Sequence, residues 1–209
     1  DENNKAITEQ LGDEYVSMVE LPPSSRITEV NDGTDVPGET NYFIDETKAN
    51  EVLSTFKQSK WEHLTVQEQK CAIEQLADYN AEVLGVDEKP RIVYYRKEDP
   101  SDFGGYSSQQ NAIYINEYNL KNAAETADTI SHEYRHKYQH ERAEKLENER
   151  DLAFKEGFEN YIRAENDYQG YKEQLVESDA RAYAQSIKDK INAYSETSDD
   201  PRSTYVEHN

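Results

Sequence analysis

The chain has 209 residues, enough for one substantial domain and a tail, and its 44 acidic against 23 basic residues give a net charge of -21. That charge repels nucleic acid and anionic membranes, which are excluded as partners; no apolar run approaches the roughly 18 residues that span a bilayer, and no basic then apolar signal opens the chain. The single cysteine, Cys71, rules out an intramolecular disulfide and reads as a half-buried helix thiol, while a hydrophobic fraction of only 34% implies that part of the chain is unstructured.

The first 50 residues hold 12 acidic and 3 basic residues and three of the six prolines. Residues 1–44, with the run LPPSSRITEVNDGTDVPGET, are expected to be a linker or loosely docked acidic arm. Because the chain opens on Asp1 and not on Met, it reads as a mature or excised piece whose targeting signal is missing. The folded domain is expected over 45–194. Thr65 and Glu68 form a capping box, and Ile73, Leu76, Ala77 and Leu84 then recur at helical spacing until Gly85 supplies a stop. The β-branched and aromatic runs 90–96 and 112–116 read as two strands of a small, mostly antiparallel sheet, with Gly104-Gly105 in the polar stretch between them.

Asn122, with Glu125 three residues later, marks the start of the next helix. On it Ala123, Ala127, Ile130, Tyr134 and Tyr138 form one stripe, and His132, His136 and His140 form another roughly opposite. The apolar stripe is expected to pack on the sheet and the histidine stripe to face a cleft. Two further helices are predicted over about 150–167 and 172–194, separated by Gln169-Gly170, and 195–209 reads as a polar acidic tail. The fold class is therefore α+β.

The segment DTISHEYRHKYQHERA carries the chemistry. His132 and His136 stand one helical turn apart on one face, where both imidazoles can reach one metal ion at about 2.0–2.1 Å, and Glu133 between them can hold the water such an ion binds. Three of the five histidines fall in nine residues, so the pattern is not the by-product of a His-rich chain. Catalytic zinc takes three protein ligands and leaves a fourth position open, so a third ligand is needed. His140 lies about 12 Å from His132 along the axis at 1.5 Å per residue, too far to share the ion unless the helix breaks, and reads as a solvated or outer residue.

The stronger candidate is Glu177. With Ala180, Ala184, Ile187 and Ile191 it occupies the inward stripe of the last helix, and a carboxylate is rarely buried without a partner. The alternative is that Glu177 simply opens that helix with its charge in water; Glu173 and Asp179 are the other ligand candidates. Asp128, one turn before His132, and Asp179 are candidates to orient a ligand from behind.

HExxH followed on a later helix by ExxAxxxA, here His132 to His136 and Glu177 to Ala184, resembles the Glu-zincin metallopeptidases over roughly residues 60–190. The series GGY, NAIYIN, DTISHEYRHKYQ and ESDARAYA is similar to compact zincin domains at the C-terminal ends of bacterial secreted, toxin-like or phage-associated proteins. The resemblance implies a zincin-like fold, with the sheet packed on the HExxH helix and more helices across a cleft. It implies one Zn²⁺ per chain on His132, His136 and Glu177, Glu133 as general base, and a polypeptide substrate lying along the strand 112–116. It also implies a protein secreted or delivered outside the producing bacterial cell. Candidates for stabilising the transition state are Tyr161, Tyr168, Tyr171 and Arg181. The competing expectation is a non-catalytic zincin-like or acidic helical interaction module, in which HEYRH is a solvated charged face.

Overall fold

Helix boundaries follow the caps. In the computed structural model, which describes residues 46–198, the first helices are Glu46–Ser54 (α1), Gln58–Trp61 (α2) and Val66–Leu84 (α3). Thr65 and Glu68 accept from each other's backbone N–H, and Gly85 closes α3 in the left-handed conformation at φ 64°. The expected arm over 1–44 lies outside the described residues, as does the expected tail beyond Ser198.

Arg91–Tyr95 (β1), Gly104–Ser107 (β2) and Ala112–Asn116 (β3) then form a sheet in the order β1-β3-β2. β1 runs parallel to β3, with Arg91 opposite Ala112, and β2 runs antiparallel, with Gly104 opposite Ile115. The sheet is thus mixed and not mostly antiparallel. The reason is the 96–103 connection, which turns the chain back before β2 so that β3 resumes the direction of β1. Asn116 and Asn119 hold that loop by donating from their side-chain amides to the carbonyls of Lys97, Asp99 and Asp102.

Two expectations about segments change here. Gly104-Gly105, read as part of a polar connection, is strand. A Cβ on Gly104 would lie 2.2 Å from the Tyr114 carbonyl oxygen and 3.2 Å from Thr129 Cγ2, so the lack of a side chain is what lets strand and helix approach. The helix expected over 150–167 stops at Glu159. The chain after β3 comprises a 3-10 turn at Glu117–Asn119 and four helices: Ala123–Lys145 (α4), Glu149–Glu159 (α5), Tyr168–Glu173 (α6) and Leu175–Ser198 (α7). Gln169-Gly170 lies inside α6, whose cap Asp167 accepts from the Gly170 N–H; the break falls at Gln174, in an extended conformation.

Helix α4 is the axis of the molecule, packed against α3, α5, α7 and the sheet, with α7 its most extensive neighbour. Its stripe Ala123, Ala127, Ile130 and Tyr134 is buried in one core with Leu53, Phe56 and Trp61, with Ile73 and Leu76 of α3, with Ile113 of β3 and with Ile187 of α7. The sheet reaches α3 as well: the Lys70 ammonium sits 4.4 Å above the Tyr94 ring. No helix among the described residues is long and apolar enough to cross a membrane.

The contact at Gly104 gives a direct test. Gly104→Ala should destabilise the protein by about 1–3 kcal/mol, because the methyl group meets backbone that cannot yield easily. The urea midpoint reads this, and an unchanged midpoint would mean that β2 shifts freely away from β3 and α4.

Candidate metal centre

One turn of α4 and the first turn of α7 bring three ligand-type side chains together. His132 Nε2 and His136 Nε2 are 3.0 Å apart, His132 Nε2 lies 3.4 Å from Glu177 Oε2, and His136 Nε2 lies 3.3 Å from Glu177 Oε1. An ion bound tetrahedrally at about 2.0–2.1 Å separates its ligand atoms by about 3.3–3.4 Å, so the trio is spaced for such an ion. Among the described residues it is the group of three or more His, Cys, Asp or Glu that could hold a metal. Ala180 and Ala184, both fully buried on α7, are small enough to let that helix approach α4.

The centre is closed. His132 is 1% exposed, His136 2%, and Glu133 and Glu177 0%. The histidine stripe therefore does not line an open cleft, because α7 and the chain before it cover it, and HEYRH is not a solvated charged face. Burial alone would raise the Glu177 carboxyl, yet the charge of His136 and hydrogen bonds with both imidazoles hold it well below the ordinary carboxylate range. Burial opposes protonation of His136, but the carboxylate of Glu177 outweighs it and raises the imidazole to about 9. Glu133 is different: desolvation dominates and raises it. The backbone N–H of Tyr106 faces its carboxylate, but neither Glu133 oxygen closes a hydrogen bond of full geometry. A buried carboxylate without such partners is rare enough to require an explanation.

The other expected site residues separate into those the fold brings to the centre and those it does not. Tyr161 Oη donates to Glu177 Oε1 at 2.6 Å, Arg181 Nη1 donates to Glu177 Oε2 at 3.2 Å, and the Tyr171 phenol also binds Glu177. Tyr168 is exposed and stacks on Tyr171 without touching the trio. Asp128 is not behind His132; it pairs with Lys188 at 3.1 Å, and His132 Nδ1 has no hydrogen-bond partner. Glu173 is exposed and accepts from Gln169. His140 is not solvated: its ring stacks on Phe158 at 3.8 Å and leans on Tyr106, and burial lowers it to about 3. Asp179 touches no imidazole. It accepts two hydrogen bonds from Arg135, one from Arg150 and one from Gln139.

Three features escaped the sequence reading. Gln139, fully buried, lies against His136; a glutamine three residues after the second histidine of HExxH was the available signal. β3 lies between two strands and cannot accept a third, so the sheet's edges are β1 and β2, and β2 is the one packed beside α4. Asn116 donates to the Phe103 carbonyl, so by the antiparallel alternation Gly105 bonds β3 while Gly104 and Tyr106 turn their backbone groups outward. Covering the centre, residues 162–174 form a loop tied at its neck, where the Gln174 side chain accepts from the Ile162 N–H and donates to its carbonyl.

No protein-family model matches the chain, and neither a curated protein nor a solved structure matches it. The fold and the site thus stand on their own geometry.

The two shifted ligand groups fix a pH response. His136, raised in the folded state, adds stability that is full below about pH 6.5 and is lost as pH rises through about 9. Glu177, depressed, adds stability present above about pH 4.5 and lost as pH falls towards its folded value. In chelator the urea midpoint should therefore decline between pH 6.5 and 9, and His136→Ala should remove that decline. Parallel profiles for the two proteins would show that the imidazole and carboxylate do not stabilise one another.

Proposed function

We propose that this chain is a zinc-dependent peptidase in which His132, His136 and Glu177 hold the ion and Glu133 is the general base. One observation carries the reading: three ligand atoms stand 3.0–3.4 Å apart beside a buried carboxylate that closes no hydrogen bond of full geometry. Zinc there would supply Lewis acidity and lower the pKa of a water to about 7. The desolvated Glu133 carboxylate takes a proton from the attacking water and delivers it to the leaving amine. Burial raises its pKa, which strengthens it as the base for the first half of that transfer.

Tyr161, Tyr171 and Arg181 are the donors for the developing oxyanion. Burial and the Glu177 charge raise both phenols, so they remain protonated donors at neutral pH. The peptide lies along the outward edge of β2 beside Gly104 and Tyr106, not along β3 as expected from the sequence. Substrate entry requires the 160–174 segment to part from Glu177, since that segment supplies two of the groups now bound to the carboxylate.

That closure favours a second reading. Structural metal sites are closed, whereas catalytic ones keep an open position, so a non-catalytic module with a buried metal is the alternative. Wild type and Glu133→Gln, incubated with a proteome and followed by sequencing of new termini, separate the two. Both proteins should retain zinc, and the variant should lose about 10²–10⁴-fold in cleavage. Equal cleavage by the two would end the hydrolase reading, and zinc without cleavage in either would favour the structural one.

Metal analysis of His136→Ala provides the companion test. Zinc content should fall to background, because two ligands cannot hold the ion that three hold. Retention of full zinc by this variant would place the metal elsewhere in the chain.

A further inference from the structure

Only one of the two imidazoles has a built support. His136 Nδ1 lies 2.9 Å from Gln139 Oε1, whereas His132 Nδ1 has no hydrogen-bond partner. The orientation of the Gln139 amide follows from its other contacts: its Nε2 donates to the Val176 carbonyl at 2.9 Å and to Asp179 Oδ2 at 2.6 Å. Turned over, the amide would set its oxygen against a carbonyl and a carboxylate, two acceptors with no proton to offer. With the oxygen fixed towards His136, Nδ1 carries a hydrogen, so the neutral ring keeps its lone pair on Nε2, facing His132 and Glu177.

Asp179 is held in turn. Arg135 binds it through Nε at 2.8 Å and Nη2 at 3.0 Å, and Arg150 through Nη2 at 2.5 Å. Arg135 is itself confined between Tyr138, 4.5 Å from the guanidinium, and Tyr183 at 5.5 Å. Neutralised by two guanidinium groups, Asp179 stays an acceptor and cannot ask the Gln139 amide to turn.

We infer that Gln139 is a positioning residue for the metal centre, fixing the His136 tautomer that presents Nε2 to the ion, and that Asp179, clamped by Arg135 and Arg150, holds Gln139 in the required orientation. The inference rests on the metal-centre reading above. It joins α4, α5 and α7 in one chain of contacts that ends on a ligand, and such outer partners typically govern metal affinity by about 10–100-fold.

The test uses the full chain and zinc in competition with a chromophoric chelator. Gln139→Met keeps the volume and removes the acceptor, and should weaken zinc binding about 10–100-fold. Thr126→Val, which removes a buried hydroxyl elsewhere on the same helix, should not change it. If Gln139→Met does not fold, Asp179→Asn carries the comparison, with a loss of about tenfold expected. A second readout is the His136 Nδ1–H signal in nitrogen-15 spectra of the zinc protein, which should exchange slowly in wild type. Equal affinity in wild type and the variant, or a fast-exchanging Nδ1–H in wild type, overturns the positioning role while leaving the metal centre standing. A wild type that binds zinc no better than His136→Ala overturns the centre itself, and the role of Gln139 with it.

Discussion

Desolvating an ionised side chain costs several kcal/mol unless partners surround it, and α4 is buried without interruption from Ser131 to Lys137, a stretch with five acidic or basic side chains. The docking of α7 is the answer to that constraint. Glu177 faces the two imidazoles, and Asp179, two residues on, faces Arg135. Acid on one helix meets base on the other, and Ala180 and Ala184 bring the backbones close enough for both sets to meet. Lys137 is compensated within its own helix by Glu141 at 3.1 Å, which also accepts from the backbone N–H groups of Asp87 and Glu88. Among these groups Glu133 is the one with both side-chain oxygens buried and closing no full hydrogen bond.

Polar pairing also orders the layers around α4. Asn80 of α3, fully buried, donates to Ser131 Oγ and accepts from the Tyr183 hydroxyl, so the residue before His132 is tied to helices on both sides. The Trp61 indole donates to the Leu120 carbonyl and fixes the approach to the α4 cap from below. These contacts favour one register of α4, and register matters because a shift of one residue would carry both imidazoles about 100° away from Glu177. The chain's net charge of -21 opposes self-association, but the arrangement of the described interior is set by these few buried pairs.

Helix α3 could be read from the sequence because its signals are local: a capping box at Thr65 and Glu68 and a glycine at 85. The approach of Glu177 to His132 and His136 was also legible, since a carboxylate in an apolar stripe calls for a buried partner. The parallel pairing of β1 with β3 was not, because direction depends on how the 96–103 loop turns, and β2 was hidden by glycines that exist to admit Thr129. The contact between Gln139 and Asp179 was not legible, because it arises when residues 40 positions apart meet. Closure of the centre was not legible either, since the sequence pattern places Tyr161 inside a helix over about 150–167, whereas α5 ends at Glu159 and the chain then turns over the centre.

The neck at Ile162 and Gln174 sets the variability of the surface over the centre. One side chain makes both hydrogen bonds that close the loop, so the ends stay together whatever lies between them, and added length raises the closure entropy only slowly. Residues 163–170 can therefore change in number and chemistry, while Tyr171, bound to Glu177, and Lys172, whose carbonyl accepts from Arg181, tie the end of the loop to the centre. Tyr161 stands just outside the neck and would remain on Glu177 through such exchanges. In engineering terms, 163–170 is the stretch to randomise first.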